Sequence, residues 1–217
     1  VDGRYVTRSR QESPSFEMKE ANRGKVYDDM AKYFPAMGVS SILLDPSTTF
    51  FTSIQKFKES IPSLRIETAP AMLHEIRMLK TEDEISKLQA SADVACAAFN
   101  QLVTEIKPGM TEKAIAGRLE YLMKEMGADK YSFDTIVASG TMGAFPHYVP
   151  SGKEIAKGEL VTIDFGAYLD GYASDMTRTI AIGEISDKLR EIYETVKGSQ
   201  QAGLDAANAT MTGVALD

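Results

Sequence analysis

The sequence predicts an α+β fold preceded by a smaller α/β segment. In the first 68 residues, short apolar runs alternate with helical stretches, as in an α/β layer. From Thr81 onward, long amphipathic helices come first and β-rich stretches follow, so the two kinds of element segregate. Within the β-rich part, Asp170-Gly171 divides two alternating runs and signals a two-residue hairpin turn.

Residues 1–9 (VDGRYVTRS) read as a strand. A helix follows around Lys25 to Tyr33 and ends near Pro35 and Gly38. Ser41 to Leu44 is a short apolar strand bounded by Asp45-Pro46. Thr48 or Thr49 is the expected opener of a second helix through Phe51, Ile54 and Phe57, which Pro62 stops. Leu64 to Thr68 completes three strand candidates, which make up only part of a domain. Residues 69–80 (APAMLHEIRMLK) have no clean period and are read as a linker between residues 1–68 and residues 81–217.

Thr81 and Glu84 have the spacing of a capping box. Ile85, Leu88, Ala92, Ala95, Phe99, Leu102 and Ile106 then follow at steps of three and four, an apolar stripe that Pro108-Gly109 ends. Thr111 caps a second helix with Ile115, Leu119, Leu122 and Met126 on one face, and Gly127 supplies its C-terminal turn. The β-rich stretches run from Tyr131 to Ser139, Leu160 to Gly166 and Gly171 to Ile182. Ser186 opens a further helix with Leu189, Ile192, Tyr193 and Val196 facing inward.

A formal net charge of -7 and a pI near 5.0 give no basic footprint for a nucleic acid. An apolar fraction of 43% is enough for a buried core. Cys96 is the only cysteine, so no intrachain disulfide forms. No stretch approaches the ~18 apolar residues of a membrane span. A cytoplasmic protein is expected, and the opening at Val1 reads like the interior of a longer chain.

The segment Val161 to Thr179 (VTIDFGAYLDGYASDMTRT) carries the chemistry. A turn at Asp170-Gly171 sets Leu169 opposite Tyr172, Phe165 opposite Met176, Asp164 opposite Thr177 and Thr162 opposite Thr179. Alternation then gathers Thr162, Asp164, Asp175, Thr177 and Thr179 on one face, and Val161, Ile163, Phe165, Met176 and Ile180 on the other. Asp164 and Asp175 become diagonal neighbours roughly 7–8 Å apart along the strands. That spacing suits carboxylates holding two divalent ions about 3.5–4 Å apart. Solvated charges on the wet side of a hairpin are the other reading, and two acids alone complete no metal site.

The run DFGAYLDGYASDMTRT (Asp164 to Thr179) resembles the metal-binding hairpin of the pita-bread (M24-type) metallopeptidases, in the Xaa-Pro dipeptidase (prolidase) and aminopeptidase P branch. SFDTIVASG (Ser132 to Gly140), HYVPSGKEIAKGELV (His147 to Val161), HEIRMLKTEDEISKLQ (His74 to Gln89) and VDGRY at the start are similar to that family in the same order. The resemblance implies a partial pita-bread catalytic domain after part of a small α/β N-terminal domain. It makes Asp164 and Asp175 metal ligands and gives His147 a place against substrate, where an imidazole moves protons near neutrality. It further implies two divalent ions (manganese first, cobalt or zinc as alternatives), a proline-containing di- or oligopeptide substrate and a homodimer. Apart from the resemblance, His74 in the linker reads as structural or exposed, and Cys96 beside the apolar stripe reads as a small core residue.

The family completes its site with a later histidine, two later glutamates and a histidine in a glycine-rich motif, and none of these can be assigned here. The 217 residues alone are therefore expected to bind metal weakly and to be inactive, with Val161, Ile163 and Phe165 partly exposed. Two other readings are a creatinase-like C–N hydrolase, which works without metals, and a pita-bread scaffold that has lost catalysis. The retained aspartate pair argues against both. Methionine aminopeptidase shares the acid spacing but lacks a segment like residues 1–68.

Overall fold

A computed structural model describes residues 1–68 and 72–216. The chain divides into two compact units, Val1–Lys80 and Thr81–Asp217. Of the expected linker, residues 69–71 lie outside the described residues, and Met72–Met78 is helical.

In the first unit the expected strand over residues 1–9 does not form. The Asp2 side chain accepts from Arg4 N at 3.0 Å and caps a 3-10 turn, Gly3–Tyr5, which runs into helix α1, Val6–Glu12. A local cap thus outcompetes strand pairing, leaving one parallel bridge between Asp2 and Ala21. Helix α2 spans Val26–Ala36 with Pro35 in its last turn, and Gly38 follows it at φ 69°. Strand β1, Ser41–Leu44, and strand β2, Arg65–Thr68, pair in parallel with Ile42 opposite Ile66. This sheet therefore has two strands where three were expected. Between them lies helix α3, Phe51–Ser60. Thr48 and Thr49 do not open it: their amides close a turn on the Asp45 carbonyl at 3.3 and 3.0 Å, and Phe50 stands at the N-cap with no side-chain cap. Helices α2 and α3 meet where the Tyr27 and Phe57 rings pack edge to face, with centroids 4.9 Å apart. Helix α4 is the Met72–Met78 segment.

The second unit opens with helix α5, Glu82–Glu105, whose Thr81–Glu84 capping box is present in both directions. Its buried face is Ser91, Ala95, Ala98 and Leu102, rotated from the expected stripe, and Ile85 is 49% exposed. Small residues face inward because backbone comes close there: the Ser91 hydroxyl donates to Ala167 O at 2.7 Å. Helix α6, Glu112–Glu125, is capped by Thr111 and buries Ile115, Leu119 and Leu122. The strands are β3 (Lys130–Tyr131), β4 (Ile136–Ser139), β5 (Leu160–Phe165), β6 (Ala167–Leu169), β7 (Tyr172–Ala173) and β8 (Met176–Ala181). They form two sheets, ordered β3-β6-β7 and β4-β5-β8, with all pairs antiparallel.

Val161, Ile163 and Phe165 are fully buried, not partly exposed as expected. They belong to one core with α5 and α6, and Phe99 stacks on Phe165 at 5.2 Å. Each such side chain contributes roughly 1.5–3 kcal/mol by burial. Helix α7, Asp187–Ala206, is capped by Ser186 as expected. Of the four residues expected inward, Leu189 and Tyr193 are half-buried, whereas Ile192 is 46% exposed and Val196 64%. Helix α8 is the short Gly213–Leu216 segment.

Two glycines shape the hairpin differently. Gly171 sits at φ 88°, where a side chain strains the backbone but meets no neighbour. A Cβ on Gly166 would lie 1.9 Å from Ser174 O. Gly171→Ala should therefore cost about 1–2 kcal/mol, whereas Gly166→Ala should cost about 3 kcal/mol or leave the second unit unfolded. Urea denaturation of both variants checks this order, and equal losses would mean the backbone separates freely at Gly166.

Candidate active site

The hairpin turns where the sequence placed it. Asp170 and Gly171 both have positive φ, 49° and 88°, the requirement of a type I′ turn. Leu169 faces Tyr172, Phe165 faces Met176, Asp164 faces Thr177 and Thr162 faces Thr179, as expected. The turn is tied down twice from outside: Asp170 N donates to Asp129 Oδ2 at 3.0 Å, and the Tyr172 hydroxyl donates to Glu84 Oε1 at 3.0 Å.

The polar face begins at Thr162 and Thr179, whose hydroxyls are 3.1 Å apart. Beside them the Thr177 hydroxyl donates to Asp164 Oδ1 at 2.7 Å. Asp164 is half-buried and Asp175 exposed. Asp175 stands just before β8 and two residues ahead of Thr177, so strand alternation assigns it to the face of Asp164. Its neighbour Ser174 is fixed on three sides. Ser174 N donates to Ala167 O at 2.9 Å, its hydroxyl accepts from Ala167 N at 3.0 Å, and its carbonyl accepts from the Ser132 hydroxyl at 2.8 Å.

His147 is exposed at the tip of a turn in which Tyr148 N donates to Phe145 O at 3.3 Å, with Pro146 suited to the position before the tip. Among the described residues no hydrogen bond joins His147 to Asp164 or Asp175, and no cluster of three metal-ligating side chains forms.

Sequence reasoning missed a third carboxylate. Glu112 is fully buried. Its Oε1 accepts from Ser139 N (3.0 Å) and the Ser139 hydroxyl (2.7 Å). Its Oε2 accepts from the Tyr148 hydroxyl (2.9 Å), Ser151 N (3.1 Å) and the Ser151 hydroxyl (2.7 Å). Lys153 Nζ bridges Ser139 Oγ at 2.7 Å and Glu159 at 2.9 Å. In the sequence Glu112 is an ordinary acid in the first turn of a helix, and nothing local marks it out.

Residues 86–217 match the model of metallopeptidase family M24. The chain belongs to this family. This M24 chain is 36% identical over all its 217 residues to the peptidase YqhT of Bacillus subtilis and spans 61% of that relative. It is 39% identical over 170 residues to the Xaa-Pro dipeptidase of Pyrococcus furiosus, covering 78% of this chain and 49% of the relative. The solved structure of an Xaa-Pro dipeptidase from Bacillus anthracis matches it with a TM-score of 0.93 at 38% identity, over 100% of this chain and 61% of the other. The fold is thus the α+β pita-bread fold of M24, as the resemblance implied. No described helix is long and apolar enough to cross a membrane.

Divalent metal is the family's cofactor, and the donors present fit it. Asp164 and Asp175 are carboxylates, the hard oxygen donors a divalent ion takes, and Asp164 Oδ2 is not occupied by the Thr177 hydrogen bond. Glu112 is a different kind of acid. Burial works to raise its pKa, but hydrogen bonds from Ser139, Ser151 and Tyr148 outweigh burial and hold it at about 2, below its ordinary 4.5. A pKa lowered on folding adds stability that is complete above pH 4.5 and is lost as pH falls through 2, here about 3 kcal/mol. Glu112→Gln should lower urea stability at pH 7 by about that amount. The gap between wild type and variant should narrow as the pH falls from 4.5 to 2. A gap that does not change with pH would show that Glu112 is not held ionised.

Proposed function

We propose that the complete protein hydrolyses the peptide bond before proline in di- or oligopeptides, with Asp164 and Asp175 as metal ligands and His147 acting on substrate. The observation that carries this reading is the register of the DFGAYLDGYASD hairpin, with Asp164 opposite Thr177; side-chain alternation extended one residue before β8 puts Asp175 on the same face. The 39% identity to the Pyrococcus furiosus Xaa-Pro dipeptidase supports the reaction and the substrate class. Residues 1–68 are assigned to a small α/β N-terminal domain and residues 81–217 to the first part of the catalytic domain.

Asp164 and Asp175 would hold two divalent ions, for which manganese, a cation suited to carboxylate oxygen, is the assignment. When bound, the ions supply an acidified water and positive charge for the substrate carbonyl. Thr177 holds one Asp164 oxygen and so fixes the rotation of the carboxylate. His147, an exposed imidazole on a tied turn, contacts the peptide and moves a proton between water and the leaving amine. We assign the protein to the cytoplasm, in keeping with its single cysteine, and to a homodimer, as the resemblance implies.

In the full-length protein, Asp175→Asn removes an anionic ligand from an exposed position, so the fold should persist. Cleavage of an Xaa-Pro dipeptide should fall by roughly 100-fold or more, together with metal content. Near-normal turnover with unchanged metal would place the activity elsewhere. Thr177→Val should be milder, lowering metal affinity about 10–100-fold in a chelator titration. Unchanged affinity would show that its hydrogen bond does not orient Asp164.

A further inference from the structure

We infer that Glu112 is the positioning residue for His147, because its buried carboxylate closes the Ser139–Ser151 loop at both ends, one oxygen at each. This rests on the reading of His147 as the residue that acts on substrate.

The geometry is specific. Oε1 accepts only from Ser139, the last residue of β4, while Oε2 accepts from Tyr148 and Ser151. His147 lies between these two anchor points and is covalently next to Tyr148. The loop is also joined to the start of α6 by backbone, since Glu112 N donates to Lys153 O at 3.0 Å and Lys113 N to Ser151 O at 3.1 Å. The core residues Ile115 and Leu119 hold α6 in place. An exposed side chain therefore inherits the rigidity of a buried helix, through backbone bonds at one end of the loop and through the Glu112 carboxylate at both.

A carboxylate is needed rather than an amide. Five donors converge on Glu112, two of them backbone N–H groups that cannot reverse into acceptors. A glutamine must turn its NH2 toward one end of the loop, where it opposes either Ser139 N or Ser151 N. Glu112→Gln therefore frees one end. Tyr148→Phe removes a single hydroxyl donor and leaves the charge in place, so it tests the same clamp with a smaller structural perturbation.

The test uses two readouts. This chain has two histidines, His74 and His147, so 15N-histidine NMR reports both rings, with His74 as the internal reference. Both variants should shift and broaden the His147 ring signals and leave those of His74 unchanged. In the full-length protein, kcat/KM for an Xaa-Pro dipeptide should fall about tenfold in Glu112→Gln with metal content unchanged. The loss should not add to that of His147→Ala, as expected for groups acting as one unit. His147 signals identical to wild type in both variants would overturn the proposal. Moved His147 signals with unchanged kcat/KM would uphold the clamp and instead reject the role of His147 on substrate. Additive losses would show that Glu112 acts on the reaction by another route, and would also overturn the proposal.

Discussion

The backbone of Gly166 passes so close to the Ser174 carbonyl that one added carbon would lie 1.9 Å from its oxygen. At this point the long hairpin leaves one sheet and joins another. On the turn side, β6 pairs with β7 and with β3, and on the other side β5 pairs with β8 and with β4. The same register runs through both halves, so the change of sheet occurs without a slip. The Ser132 and Ser174 hydroxyls satisfy the backbone groups left over at the crossing. The placement of the acid pair depends on this crossing. A slip of one residue would turn Asp164 into the core space of Ile163, because side chains alternate with a period of two.

The three carboxylates of this region differ in how many acceptor sites remain open. An ionised carboxylate has about four lone-pair positions. Glu112 uses all of its capacity on five donors and is fully buried, so it has nothing left to offer a ligand. Asp164 receives one hydroxyl, from a threonine on the paired strand, and keeps its other oxygen for a ligand. Asp175 is exposed next to a serine whose own polar groups are all occupied. Saturation makes Glu112 a structural anion, whereas the two aspartates keep the open acceptor sites that the proposed metal-ligand role requires.

The hairpin was legible in the sequence because its information is local. Asp170-Gly171 dictates a turn type, the turn dictates a register, and alternation does the rest. The caps at Thr81, Thr111 and Ser186 were legible for the same reason. What could not be read depended on distant partners. The inward face of α5 is set by how closely β6 approaches Ser91, a contact 76 residues away in the chain. The opening residues looked like a strand until Asp2 is seen capping a turn. At the candidate site, Asp164, Asp175 and His147 are proposals drawn from resemblance added to spacing. Glu112 was not legible, because its donors come from residues 27 to 39 positions downstream and no local pattern connects them.

The loop that carries His147 shows why such distant wiring is worth its cost. Fixing a flexible backbone takes about 1–2 kcal/mol per residue, and a substrate that had to order the loop on binding would lose that much affinity. Here the ordering is completed during folding, when the carboxylate trades its water shell for hydrogen bonds at both ends of the segment. Exposure and order, which usually oppose one another in a surface loop, are thereby separated. The imidazole keeps its access to solvent, while its position is set by a helix packed into the core. A charged group is better suited to this task than an apolar anchor, because it attracts donors from several directions and leaves them unsatisfied if the loop shifts. The loop then has one favourable arrangement and no low-cost alternative near it.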